Sequence, residues 1–203
     1  TESKVSDVYR DISRLQPIFG SLYATKNDFQ VLIYKNEDAQ KFQEEYLEKL
    51  QNLLNDRSVI KIENGCFDNV KNAFNFTMNG NPTVIPLDDP MIRGDVFFAK
   101  RFGKAGKVFD ERGATCGPFK FGFYIFDFSS NAPMKFKLDT AEDKKILREH
   151  RIYLYRDGIR VYPYGDPEDD WLRIDALRGT ISAGAFLSND QVVGFVDISR
   201  KEN

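Results

Sequence analysis

The sequence predicts an α+β domain, and three observations carry that prediction. Residues 119–128 alternate large aromatic side chains with period two, the pattern of a strand. Residues 37–54 space Ala39, Phe42, Tyr46, Leu50, Leu53 and Leu54 at helical intervals. Asn79-Gly80 and Asp157-Gly158 each lie between β-prone runs, where such dipeptides supply the positive φ angles of a tight hairpin. A chain of 203 residues can bury a core without disulfides or metals, and 41% hydrophobic with 30% charged residues is a globular composition. The 18 Phe and 9 Tyr favour a substantial sheet, because aromatic rings suit pleated, half-buried surfaces. No repeat, low-complexity tract or long Pro/Gly/Ser linker divides the chain, so residues 1–203 are expected to form one domain.

The elements follow in order. Val5, Tyr9, Ile12 and Leu15 share one face of a short amphipathic helix over residues 5–19, closed by Pro17. Residues 29–34 predict a strand. Asn36 is placed to cap the long helix, which opens with Glu37 and Asp38 at its positive end and pairs Glu37 with Lys41 and Glu45 with Lys49 on its wet side. Its apolar stripe needs a sheet beneath it, predicted from residues 58–62, 73–78 and 83–87, the last two joined through Asn79-Gly80. Phe74, Phe76 and Met78 would share one face. In the strand at 119–128, Phe119, Phe121, Phe123 and Ile125 take one face and Tyr124, Phe126 and Phe128 the other, so both sides should be covered at least in part. Thr140 with Asp143 has the form of a capping box and predicts a helix over 141–149 bearing Ile146 and Leu147. A hairpin then turns at Asp157-Gly158, and Pro163-Tyr164-Gly165 breaks its second strand.

Several compositions narrow the chemistry. Cys66 and Cys116 fit no C-x-x-C or Cys/His spacing and are expected to be buried free thiols. The single histidine, His150, lies where a helix hands over to a strand; a structural role at that helix C-terminus is expected, and zinc sets or Ser-His-Asp chemistry lack material. Asp166, Glu168, Asp169 and Asp170 crowd ahead of Trp171 without the spacing of an EF-hand, and no second catalytic group lies near. They read as a polar loop that caps a helix start at Asp170 and pairs with Arg156, Arg160 or Arg173. Asn75-Phe76-Thr77 matches a glycosylation sequon, but Thr1 opens a charged, helix-like segment and no signal-peptide core accompanies the sequon. No apolar run approaches the roughly 20 residues of a membrane span. A cytoplasmic protein without a membrane partner is expected.

A net charge of −2 excludes a protein that coats nucleic acid through its overall charge. Between Arg93 and Arg112, however, the chain turns basic and glycine-rich. Gly103-Lys104-Ala105-Gly106-Lys107-Val108 has the composition of a phosphate loop but not its pattern, because the glycine spacing is short and Val108 occupies the place of the metal-binding Ser or Thr. A solvated hairpin tip or connector fits the segment. Because Phe98, Phe102 and Phe109 are interleaved with the cations, Lys100, Arg101, Lys104 and Lys107 are the candidate nucleic-acid contacts, combining charge with stacking.

Three stretches carry a family resemblance. They are Tyr155-Arg156-Asp157-Gly158-Ile159-Arg160-Val161 through Pro163-Tyr164-Gly165, then Asp170-Trp171-Leu172, then Leu187-Ser188-Asn189-Asp190-Gln191-Val192-Val193-Gly194-Phe195-Val196-Asp197-Ile198-Ser199. Together they resemble the second domain of bacterial GHKL-type ATP-binding proteins, the group of DNA gyrase B, heat-shock chaperones, histidine kinases and MutL-type repair proteins. The pattern is most similar to the Microrchidia-like group. Ala114-Thr115-Cys116-Gly117-Pro118 ahead of the aromatic strand and the helix ending Leu147-Arg148-Glu149-His150 extend the likeness, which spans residues 116–199.

The resemblance implies a transducer domain: an α+β fold whose mixed sheet has helices mainly on one face, with the left-handed β-α-β unit of the ribosomal-protein type. It further implies that ATP and magnesium bind in an N-terminal nucleotide module of the parent ATPase. Within residues 1–203, Gly94, Gly103 and Gly106 form no D-x-G-x-G set, and no E-x-x-x-N helix is placed to hold a nucleotide. The chain is therefore expected to be a fragment, inactive alone, with no catalytic, cofactor-binding or metal-binding residue. Its implied partners are that nucleotide-binding domain, a second copy through it, and a DNA or protein client. In related proteins a switch-loop lysine reaches the γ-phosphate; Lys201 follows the strand too closely to take that role. The alternative is a non-enzymatic α+β module that binds nucleic acid or protein.

Overall fold

The computed structural model describes residues 34–35, 38–39, 42–94, 116–181 and 187–202. Within them the chain is α+β. Strands β1 (Tyr34–Lys35) and β2 (Asp38–Ala39) pair antiparallel as a separate ribbon, and α1 (Phe42–Arg57) follows. The sequence starts this helix at Glu37, but Asp38 and Ala39 face Lys35 and Tyr34 across the ribbon, so their backbone enters a ladder and the helix begins at Phe42. The helix expected over residues 5–19 lies outside the described residues, as does residue range 29–33 of the first expected strand.

The main sheet is built from β3 (Ile60–Asp68), β4 (Ala73–Met78), β5 (Asn81–Pro86), β6 (Phe119–Ile125), β7 (Ile152–Arg156), β8 (Ile159–Arg160) and β9 (Val192–Ile198). Its order is β5-β4-β3-β6-β9-β7-β8, and every neighbouring pair is antiparallel except β7 with β9. Among the described residues four helical segments accompany the sheet: α1, α2 (Pro90–Gly94), α3 (Ala141–Arg148) and α4 (Ile174–Ile181), with a short 3-10 turn at Asn189–Gln191.

The β3 strand runs well beyond the expected 58–62. Asn64-Gly65 looks like a break in the sequence, yet it forms a bulge at which both neighbouring strands shift register, with Asn64 at φ 53°. At the β4–β5 hairpin, Asn79 and Gly80 take φ values of 49° and 84°, the turn their identities predict. A two-residue hairpin hydrogen-bonds Met78 to Asn81, which leaves residues 82, 84 and 86 aiming their amides outward. Two of those three are proline, so this edge offers little to a further strand.

The two faces of the sheet hold different cores. On one, Leu50, Leu53 and Leu54 of α1 and Ile146 and Leu147 of α3 pack on Tyr124, Val193, Phe195, Tyr153 and Tyr155, with Phe126 and Leu138. Each such buried leucine contributes about 1.5–3 kcal/mol relative to an exposed one. On the other face Ile125, Ile152 and Val192 meet Phe123, Val196, Trp171 and Ile174. Along that face the rings of Phe67, Phe74, Phe119 and Phe121 form a continuous aromatic cluster. The split of residues 119–125 between faces is the one their alternation predicts, although the strand ends at Ile125 rather than Phe128.

Glycines set the spacing of these aromatics. A Cβ on Gly122 would come within 2.8 Å of the Phe195 ring, and one on Gly194 within 2.6 Å of Phe123. Each phenyl ring thus lies over a cross-strand glycine, which lets large side chains flatten onto the sheet. The cysteines contradict the expected burial, since both free thiols are exposed. Cys66 pairs across strands with Asn75 and Lys120 in a polar row beyond the helix-covered core, and Cys116 precedes β6 in an irregular lead-in.

Candidate functional site

The most concentrated polar chemistry among the described residues lies behind the β7–β8 hairpin. Asp157 and Gly158 turn that hairpin with φ values of 54° and 78°, and the turn brings Arg160 opposite Tyr155. The Arg160 guanidinium lies 4.5 Å from the centre of the Tyr153 ring, a cation–π contact. Its Nη2 donates to Asp166 Oδ1 at 2.7 Å and to the Tyr164 carbonyl at 3.3 Å. With side-chain exposures of 4% and 18%, Arg160 and Asp166 form a largely buried ion pair.

Tyr153 carries the chain of contacts inward. Its hydroxyl lies 2.5 Å from Nδ1 of His150, and Nε2 of the same ring lies 2.9 Å from the hydroxyl of Tyr46 on α1. A neutral imidazole has one donor and one acceptor nitrogen, and each phenol can complement either. Carboxylate, guanidinium, phenol, imidazole and phenol therefore run in series from the loop after β8 to α1. His150 is completely enclosed at the joint between α3 and β7. The expected structural role at a helix C-terminus is met by two side-chain hydrogen bonds as well as by its place one residue beyond the cap.

The acidic loop is organised as the sequence suggests. Asp170 is the cap of α4: its Oδ1 accepts from Ile174 N at 2.6 Å, and its Oδ2 accepts from Asp175 N and Ala176 N. Asp169 Oδ2 accepts from Gly165 N, and Asp166 is held by Arg160. The helix starts at Ile174, with Trp171 before it; the Trp171 indole donates to the Ile152 carbonyl at 2.8 Å and stacks edge-on against Tyr164. These carboxylates are engaged in fixing the corner. Among the described residues no group of three or more His, Cys, Asp or Glu could hold a metal ion.

Two further polar positions lie near the same strands. Arg151 is 8% exposed and donates from Nη1 to the carbonyls of Arg148 and His150; its burial lowers its pKa against the opposing field of Asp190, Asp175, Tyr153 and Glu168. Asp197 on β9 sits in register with Tyr155 and Lys120. Burial raises its pKa, the Gly158 amide and Lys120 oppose that, and the charge of Asp157 adds to it. The Tyr124 phenol, also buried and bonded to Glu63 at 3.2 Å, titrates well above its ordinary range.

The open groove between α1 and α3, about 350 Å³, has Lys49 and Arg57 on its walls. Lys49 pairs with Glu142 and Asp143 and Arg57 with Asp139, so its cations are matched by local acids. The sequence-derived contacts Lys100, Arg101, Lys104 and Lys107 lie outside the described residues. No described helix is long and apolar enough to cross a membrane. What the sequence reading misses is the Tyr46–His150 bond, whose partners stand 104 positions apart; the one available signal is a tyrosine on the apolar stripe of a helix. No protein-family model, no curated protein and no solved structure matches this chain.

Proposed function

We propose that this chain is the transducer region of a GHKL-type ATPase. In that reading it couples ATP binding and hydrolysis, carried out in a separate nucleotide-binding module of the same protein, to a conformational change acting on a client or nucleic acid. The observation that carries the reading is the β7-α4-β9 unit, in which two adjacent parallel strands are joined through a helix within an otherwise antiparallel sheet. A left-handed crossover of the ribosomal-protein type is its finer form. The motif stretches that carry the resemblance come together in this unit: the hairpin, the Asp170-Trp171-Leu172 corner and β9 with its lead-in. Supporting it mechanically, α1 and α3 press one face of the sheet and the buried polar chain ties α1 to the hairpin, so the unit can move as a rigid body. ATP and magnesium belong to the partner module, and a second copy would associate through that module.

Calorimetric titration of residues 1–203 with MgATP is expected to give no saturable heat. In the intact polypeptide encoded by the gene, adding MgATP is expected to change amide hydrogen exchange in β7 and β9. Saturable ATP binding by the 203 residues alone, or exchange in the intact protein that is the same with and without nucleotide, overturns the reading.

A further inference from the structure

The β7–β8 hairpin turn does more than reverse the chain. Strand β7 runs parallel to β9 with Arg156 level with Ile198, so the turn begins where β9 ends. The Asp157 amide donates to the Ile198 carbonyl at 3.0 Å, a final rung between the two strands. The Gly158 amide reaches the Asp197 carboxylate. Beyond the strand, the Arg200 amide donates to Asp157 Oδ1 at 3.1 Å, while Lys201 N bonds Ser199 Oγ and Glu202 N bonds the Ser199 carbonyl. Residues 199–202 are thus folded into a turn whose described tie to the rest of the molecule is one carboxylate.

We propose that Asp157 is a latch that fixes the direction in which the chain leaves β9. The two functions of this residue are chemically separable. Its backbone amide serves the sheet and needs only the positive φ of 54°, which Asp, Asn and Gly tolerate. Its carboxylate serves the segment after the sheet. Losing the carboxylate therefore releases residues 199–202 and leaves the β7–β9 rung and the hairpin in place, a local opening below the global one. The inference stands independently of the transducer reading.

Amide hydrogen exchange resolved by NMR on residues 1–203 tests it with two variants. Asp157→Gly keeps the turn and deletes the acceptor; the Arg200 amide is expected to exchange roughly two- to twelvefold faster, the range of one net hydrogen bond, while the Ile198 and Val196 amides keep their protection. Asp157→Asn retains an acceptor oxygen and the same φ tolerance, and is expected to restore slow exchange at Arg200. Unchanged exchange at Arg200 in Asp157→Gly, an equal loss of protection along β7 and β9, or no restoration by Asp157→Asn would each overturn the proposal.

Discussion

The ring of Tyr153 fills the space where Gly165 would carry a side chain. A Cβ at Gly165 would lie 2.5 Å from Cδ1 of Tyr153, and Gly165 also holds φ 90°. Gly158 has a comparable φ of 78° but open space around the same position. Both alanine variants therefore strain the backbone, and only one collides. Gly165→Ala is expected to cost about 1–3 kcal/mol more than Gly158→Ala, the range of overpacking a core. Chemical denaturation of the two variants checks the difference; equal losses would show that the close approach of Gly165 to Tyr153 is not maintained.

The same tyrosine anchors the buried polar chain, and its hydroxyl is the part that matters to His150. Tyr153→Phe keeps the ring under Arg160 and removes the partner 2.5 Å from Nδ1. Leaving a buried polar atom without that bond costs about 1–3 kcal/mol. Tyr46→Phe acts on the opposite nitrogen, so the two substitutions share one imidazole and are expected to couple by at least about 0.5 kcal/mol in a double-mutant cycle. Strict additivity of the two urea-unfolding free energies would argue against a continuous chain through His150.

How much of this corner is legible in the sequence depends on the range of each interaction. The Asp157-Gly158 turn and the Thr140 cap, whose hydroxyl accepts from the Asp143 amide, are short-range chemistry and form where their residue types place them, whereas Asp170 caps a helix that starts only at Ile174. The Arg160–Asp166 pair spans six residues and was one of the pairings the loop composition allowed. Tyr46 meets His150 only because α1 and the α3–β7 joint pack on one sheet face, a tertiary fact with no local signature. The Asn64-Gly65 bulge is the opposite case. There a local break signal is overridden by pairing on both sides, and Gly65 leaves room for the Phe121 ring.

The cap of α4 gives a quantitative test of that short-range chemistry. Asp170 accepts from three successive backbone amides at the start of the helix, and a carboxylate there also meets the positive end of the helix dipole. Asp170→Ala is expected to lose about 1–2 kcal/mol, with Asp170→Asn retaining most of it. The loss should appear first as faster amide exchange in residues 174–176. If Ala and Asn variants are equally stable and equally protected, the cap is not what holds the start of α4.

Asp197 supplies a stability effect whose sign depends on pH. One carboxylate oxygen, Oδ1, is buried without a hydrogen-bond partner, and burial is the main cause of the raised pKa. A carboxyl whose pKa is higher in the folded than in the unfolded chain binds its proton more tightly when folded. Its contribution to stability is thus present below the ordinary carboxylate value of about 3.9 and is lost as pH rises through the higher folded value. At neutral pH the ionised side chain is a net cost, offset in part by the Gly158 amide and Lys120. Asp197→Asn keeps an acceptor for that amide and removes the buried charge, so it is expected to be as stable as the parent or more stable at pH 7. Its advantage should shrink as pH falls towards 4. Melting temperatures of both proteins across that interval decide the matter: a parent that gains stability relative to the variant as pH rises would mean that Lys120, not burial, dominates this carboxylate.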